Sequence, residues 1–204
     1  MNLKNIKHFL NLLFKEKHKP YMDKKMFVKD LKESIKDHYL NIKETSPLVS
    51  LGLYSDGDAS TISIYYNTQD YFEIQLKKLS KKNTEYEYKK GYYTFFMEEW
   101  KDDISYTLND KKLNKLNDQI CEFGSFENDK GNEDYTNEIF DLFVKALHEL
   151  KTEGLFRNEN ENFFLHIEIS DNFIDEEMFG RISKLHSKER YSQYLKYANH
   201  INSY

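Results

Sequence analysis

Between Leu48 and Asn67 the chain reads LVSLGLYSDGDASTISIYYN, two β-branched and aromatic runs separated by Asp56-Gly57-Asp58. In the second run Ile62, Ile64 and Tyr66 alternate with Thr61, Ser63 and Tyr65. A period of two sends successive side chains to opposite faces of a sheet, so the segment predicts a hairpin with one buried face. The connection from Ser55 to Ser60 is longer than a two-residue turn and leaves its conformation open.

Most other apolar positions follow the helical period. Ile6, Phe9, Leu10, Leu13 and Phe14 share one face of an N-terminal helix that packs on the body or, alternatively, on a partner or membrane surface. Phe27, Leu31, Ile35 and Tyr39 stand four apart in a second helix, Lys24 to Tyr39, which ends before Ser46-Pro47. Asn67-Thr68 offers a cap to a helix lined by Tyr71, Phe72, Leu76 and Leu79. The aromatic run Tyr88 to Phe96 predicts a third strand, leading into Glu98-Glu99-Trp100, and Leu108 to Phe123 predicts a helix followed by a polar loop, Phe126 to Asp134. Over Asn132 to Glu153 a wide stripe of Tyr135, Ile139, Leu142, Phe143, Ala146, Leu147 and Leu150 marks a helix. Gly154 is placed as its left-handed stop, with Leu155 packing back. In the strand Phe163 to Ser170, Phe163, Leu165, Ile167 and Ile169 face the core, with Phe164, His166, Glu168 and Ser170 opposite. A last helix buries Tyr191, Tyr194, Leu195, Ala198 and Ile201.

The predicted order is α-α-β-β-α-β-α-α-β-α, an α+β (mixed α/β) fold. It comprises a mostly antiparallel sheet of about four strands with one hairpin, covered by helices, with two N-terminal helices and a C-terminal helix. The chain has 204 residues and no Pro/Gly/Ser-rich linker. A single α+β domain over 23–204 is therefore expected, preceded by a basic amphipathic helix or extension over 1–22.

Charge changes the picture of possible partners. Residues 1–43 hold eleven Lys against five acids, a balance of +6, so the remainder carries −11 to reach the net −5. An aromatic-rich body of that sign is wrong for phosphate backbones, so no nucleic acid is expected; a basic protein is the easier partner. The plainer reading is that the acids solvate the surface. No run of about 18 apolar residues predicts a membrane span. The apolar part of the N-terminus is broken by His8 and Asn11 and lacks a small-residue cleavage site, which argues against a secretory signal. The single Cys121 lies in a helical run where a small buried hydrophobe is the ordinary explanation. A reducing, cytoplasmic location follows as the expectation.

Three groupings bear on chemistry. Asp56 and Asp58, with Ser55 and Ser60, could hold a hard cation, but lack the calcium-loop pattern, and Asp-Gly turns are common for conformational reasons alone. Glu98, Glu99 and Trp100, with Asp102 and Asp103, could supply an acid and a base, although a solvated turn beside a packed Trp is the simpler account. His166 and Glu168 lie two apart on one strand face, as a base and its orienting partner would. No activated nucleophile accompanies them, and a half-exposed edge or a helix-covered polar contact is the simpler account. The histidines have no zinc-type spacing, and the seven glycines are isolated, so no phosphate loop can be built. No catalytic, metal or cofactor residue is assigned and no cofactor is expected; these residues are candidates for a partner-binding or polar site.

Four blocks together resemble the uncharacterised bacterial domain-of-unknown-function family DUF4303: LGLYSDGDASTISIYYNTQDYFE (Leu51 to Glu73), YYTFFMEEW (Tyr92 to Trp100), IFDLFVKALHELKTEGLF (Ile139 to Phe156) and FFLHIEISDN (Phe163 to Asn172). The hairpin followed by Asn67-Thr68, and the pair Glu99-Trp100, are the more specific parts of the likeness. The chain departs from the pattern at His186-Ser187-Lys188, where Ser187 serves as an N-cap, and in its leading segment Met1 to Met22. The resemblance implies no catalytic residues. It implies a habit of gene neighbourhood shared with small immunity proteins of toxin systems. The expected function is a non-enzymatic cytoplasmic binding protein that neutralises a toxin by direct contact. The alternatives are a hydrolase using carboxylates near Trp100 or His166, and a structural or regulatory protein.

Overall fold

The computed structural model describes residues 22–78, 86–100, 110–128, 134–170 and 176–201. The predicted N-terminal helix and residues Asp102 and Asp103 fall outside them. Helix α1 (Lys24–Lys43) starts at Asp23, whose Oδ1 accepts the Lys25 and Met26 amides at 3.0 and 3.2 Å. Those bonds satisfy two of the donors that every helix start leaves unpaired. Phe27, Leu31, Ile35 and Tyr39 are buried, as their spacing predicts.

Strands β1 (Leu48–Ser55) and β2 (Ser63–Thr68) form the antiparallel hairpin, with Leu51 opposite Tyr66 and Leu53 opposite Ile64. The chain passes directly from β2 into α2 (Gln69–Lys78), where Thr68 Oγ1 accepts the Tyr71 amide at 3.3 Å. Asn67 reaches the next helix, its Nδ2 donating to Tyr93 O at 2.9 Å. The Asn67-Thr68 corner thus starts one helix and tethers another.

The segment expected to be a third strand is helix α3 (Tyr86–Phe95), followed by a 3-10 turn (Met97–Glu99). Ring propensity favours a strand here, but the rings find their partners at helical spacing. Tyr92 stacks on Phe96 at 4.8 Å, and Phe95 meets Tyr194 and Tyr197 at 5.8 and 5.5 Å. Gly91 permits this approach, since a Cβ there would stand 3.3 Å from the Tyr197 ring.

Helix α4 (Lys111–Asn128) runs beyond the expected end at Phe123 and buries Leu113, Leu116, Ile120 and Phe123. Cys121 is exposed, contrary to expectation, because it sits one position off that stripe. Helix α5 (Tyr135–Thr152) buries the predicted stripe and ends as predicted at Gly154, with φ +84°. There Gly154 N donates to Lys151 O and Leu155 N to Leu150 O, both at 3.0 Å, the paired bonds of a Schellman stop. Strand β3 (Phe164–Ile169) precedes α6 (Glu176–Leu185), a helix the sequence reading did not separate, and α7 (Lys188–Ile201). Ser187 caps α7 by accepting the Arg190 amide at 3.3 Å.

Among the described residues the sheet has three strands in the order β2-β1-β3, and β1 runs parallel to β3. The expectation of about four, mostly antiparallel strands is corrected accordingly. The hairpin has already returned the chain to the end of the sheet where β1 begins, and helices α2 to α5 lie between β2 and β3. Five of the six β3 residues are buried, so the strand is covered on both faces. Its even-numbered side meets α3 and α7; on the other face of the sheet lie Leu51, Leu53, Leu165 and Ile167. Helices α1 and α5 contact β1 and β3 respectively, and one continuous apolar cluster joins these elements. No helix among the described residues is long and apolar enough to cross a membrane.

Candidate functional site

The polar residues of β3 meet the Trp100 turn at a point where β1 has no side chain. Gly52 is paired with His166 across the parallel register. A Cβ on Gly52 would lie 2.2 Å from Met97 Cε, the flexible end of a side chain, and 2.8 Å from the backbone His166 O, which cannot yield, so this close approach of the strands requires glycine. Glu168 Oε2 then accepts the Met97 amide at 2.9 Å, pinning the turn.

Around that contact the structure brings together three of the residues singled out from the sequence, Trp100, His166 and Glu168. His166 Nε2 stands 3.5 Å from Glu168 Oε2, and its ring lies 6.1 Å from Trp100, 5.4 Å from Phe164 and 5.6 Å from Tyr194. His166 and Trp100 are each 3% exposed. His166 Nδ1, Trp100 Nε1 and Tyr194 Oη are buried without a hydrogen-bond partner among the described residues. Burial, with the Glu168 carboxylate nearby, pushes the Tyr194 phenol above its ordinary range. This is a helix-covered polar contact rather than a half-exposed sheet edge.

Glu99 is half-buried beside the same turn, with its amide donating to Phe96 O at 3.2 Å. The Glu98 side chain, Asp102 and Asp103 lie outside the described residues. The acidic hairpin tip is built separately. Asp56 accepts the Ser60 amide at 2.6 Å and the Thr61 hydroxyl at 3.2 Å, and also the Ser60 hydroxyl. Asp58 is exposed, and its carbonyl accepts Tyr135 Oη at 2.8 Å, which ties the tip to α5. The left-handed residue of this connection is Ala59, at φ 51°, and not Gly57. The Asp56 carboxylate is thus committed to shaping the turn.

A second polar grouping was not visible in the sequence. Ser34 and His38, one turn apart on α1, both bond the Oδ2 of Asp110, the histidine at 3.1 Å, while Asp110 Oδ1 accepts the Lys112 and Leu113 amides at 2.8 and 3.1 Å. Burial raises the Asp110 carboxyl, but these hydrogen bonds outweigh it and hold the group below its usual range. A nucleophilic triad needs the serine on the histidine; here both address the carboxylate, which caps α4 and fastens it to α1. The residues come from distant segments, and only the i, i+4 spacing of Ser34 and His38 hinted at a shared face.

A family model described as Domain of unknown function (DUF4303) matches residues 31–187. No curated protein and no solved structure matches the chain.

Proposed function

We propose, from the premise that this chain belongs to the DUF4303 family, that it is a non-enzymatic binding protein of the immunity type, which neutralises a bacterial toxin by direct protein-protein contact. The observation that supports this reading is the withdrawal of the histidine and carboxylate from solvent. His166 is 3% exposed, and Glu168 is engaged by the Met97 amide. A general base has to reach a substrate proton, and here the histidine is buried while the carboxylate holds a turn against the sheet.

The groups left at the surface are suited to contact. Asp134 at the start of α5 and Glu176 and Glu177 at the start of α6 are exposed where the helix dipole favours negative charge, and Asp141 is exposed two turns into α5. Arg181, only 7% exposed, joins two of them from below through Asp141 at 3.2 Å and Glu177 at 3.7 Å. Both carboxylates remain about 60% exposed and able to face a basic partner.

The test is co-expression with the product of a neighbouring toxin-type gene. Rescue of growth together with co-purification is the expected result. Unchanged killing with no co-purification would sink the proposal.

A further inference from the structure

Arg190 breaks a rule that the other sheltered cations obey. Among the described Lys and Arg residues, four are not openly exposed: Lys32, Lys43, Arg181 and Arg190. The first three each meet a carboxylate: Lys32 pairs with Glu149 and Glu153, Lys43 with Glu159, and Arg181 with Asp141 and Glu177. Arg190 pairs with none among the described residues. Its Nη1 donates to Gln193 Oε1 at 2.6 Å and its Nη2 to Asn162 O, while the buried Nε has no acceptor. Phe95 and Phe164 lie against the guanidinium, 5.1 and 5.5 Å from their ring centres. Burial lowers its pKa to about 10, which leaves it cationic at neutral pH.

This arginine stands between two clefts and lines both. The larger, about 710 Å³, adds Lys90 from α3, Lys196 from α7 and the amides of Gln69, Asn162 and Gln193, and among the described residues no acidic side chain lines it. The smaller, about 290 Å³, adds Lys151 and Arg157, with Glu161 as its one acid among the described residues. On a chain of net charge −5, this concentration of cations runs against the whole.

We infer that the Arg190 clefts bind a small phosphorylated ligand of nucleotide size, a function beyond contact with a protein toxin. A guanidinium clamped by two rings and an amide is already oriented, so little side-chain entropy is lost when an oxyanion takes its remaining donors. Lys90 and Lys196 add point charges to the lining of the same cleft, and three cations match the charge of a pyrophosphate group. The larger volume lies within the roughly 300–1,000 Å³ usual for small-ligand sites. A polynucleotide is disfavoured, because the chain as a whole carries a net charge of −5.

Calorimetric titration of the full chain with ADP, and separately with inorganic pyrophosphate, tests the assignment. ADP is expected to bind one to one, at least tenfold more weakly in Arg190→Gln and in the double variant Lys90→Gln/Lys196→Gln. Lys184→Gln, on the exposed face of α6, is expected to leave binding unchanged. The double variant alters exposed residues only, so it remains informative if Arg190→Gln fails to fold. Pyrophosphate binding as tightly as ADP would place recognition in the phosphates alone; weaker binding would add the organic part. The inference is overturned if neither probe binds at millimolar concentration, if Lys184→Gln weakens binding equally, or if the double variant binds like the parent.

Discussion

At Gly52 a hydrogen atom in place of a side chain leaves room for the neighbouring strand's backbone and for the Met97 side chain. Met97 Cε can swing away from an added methyl, but the His166 carbonyl, at 2.8 Å, is backbone and cannot. Gly52→Ala is therefore expected to cost about 2 kcal/mol, read as a lower urea midpoint at unchanged slope. His186 gives a residue-scale prediction of a different kind. Its Nε2 donates to Leu165 O at 2.7 Å, and burial, with Lys151, Arg190 and His166 nearby, pushes its pKa down to about 3. The folded chain thus refuses a proton that the unfolded chain accepts below its ordinary value of 6.5, and stability falls as pH drops between those two values. Between pH 7 and 5 the loss should be about 2 kcal/mol, and His186→Gln should flatten that part of the stability-pH curve. Of these residues, His166 and Glu168 were legible in the sequence as one strand face. Arg190 was not, because a lone arginine in a polar helix reads as solvated until the rings beneath it are placed.

Among the elements, those governed by local rules were legible. Helix α5 and its Gly154 stop follow from a stripe and one glycine, and Gly154→Ala at φ +84° should cost about 1 kcal/mol by thermal or urea melting. Helix α3 was misread, because tyrosine and phenylalanine favour strands in isolation, and its stacking on α7 is a long-range fact. Helix α6 was overlooked because its inner face carries Arg181 beside Met178, Ile182 and Leu185, a charge that interrupts the apolar pattern. The attachment of α4 to α1 rests on Asp110. Asp110→Ala should cost about 2–3 kcal/mol, since it removes the helix cap and the acceptor of the buried Ser34 hydroxyl. Asp110→Asn, which can still cap, should cost less than half of that by the same denaturation measurement.

At the scale of the molecule, the hairpin made one antiparallel pair legible, but the parallel β1–β3 pairing joins segments separated by the whole helical crossover. No local signal specifies that neighbour. Charge behaves alike: composition revealed an acidic body, and the fold alone gathers a minority of cations around Arg190. The two proposals use separate groups, exposed carboxylates for a protein and a cationic cleft for a small anion. The central claim is that neutralisation works by contact and not by turnover, and stoichiometry distinguishes the two. In a purified assay of the neighbouring toxin, residual activity should fall linearly with added protein and vanish at one copy per toxin, equally for a folded His166→Phe variant. Complete loss at a small fraction of one equivalent, or no loss at any ratio, would contradict the account.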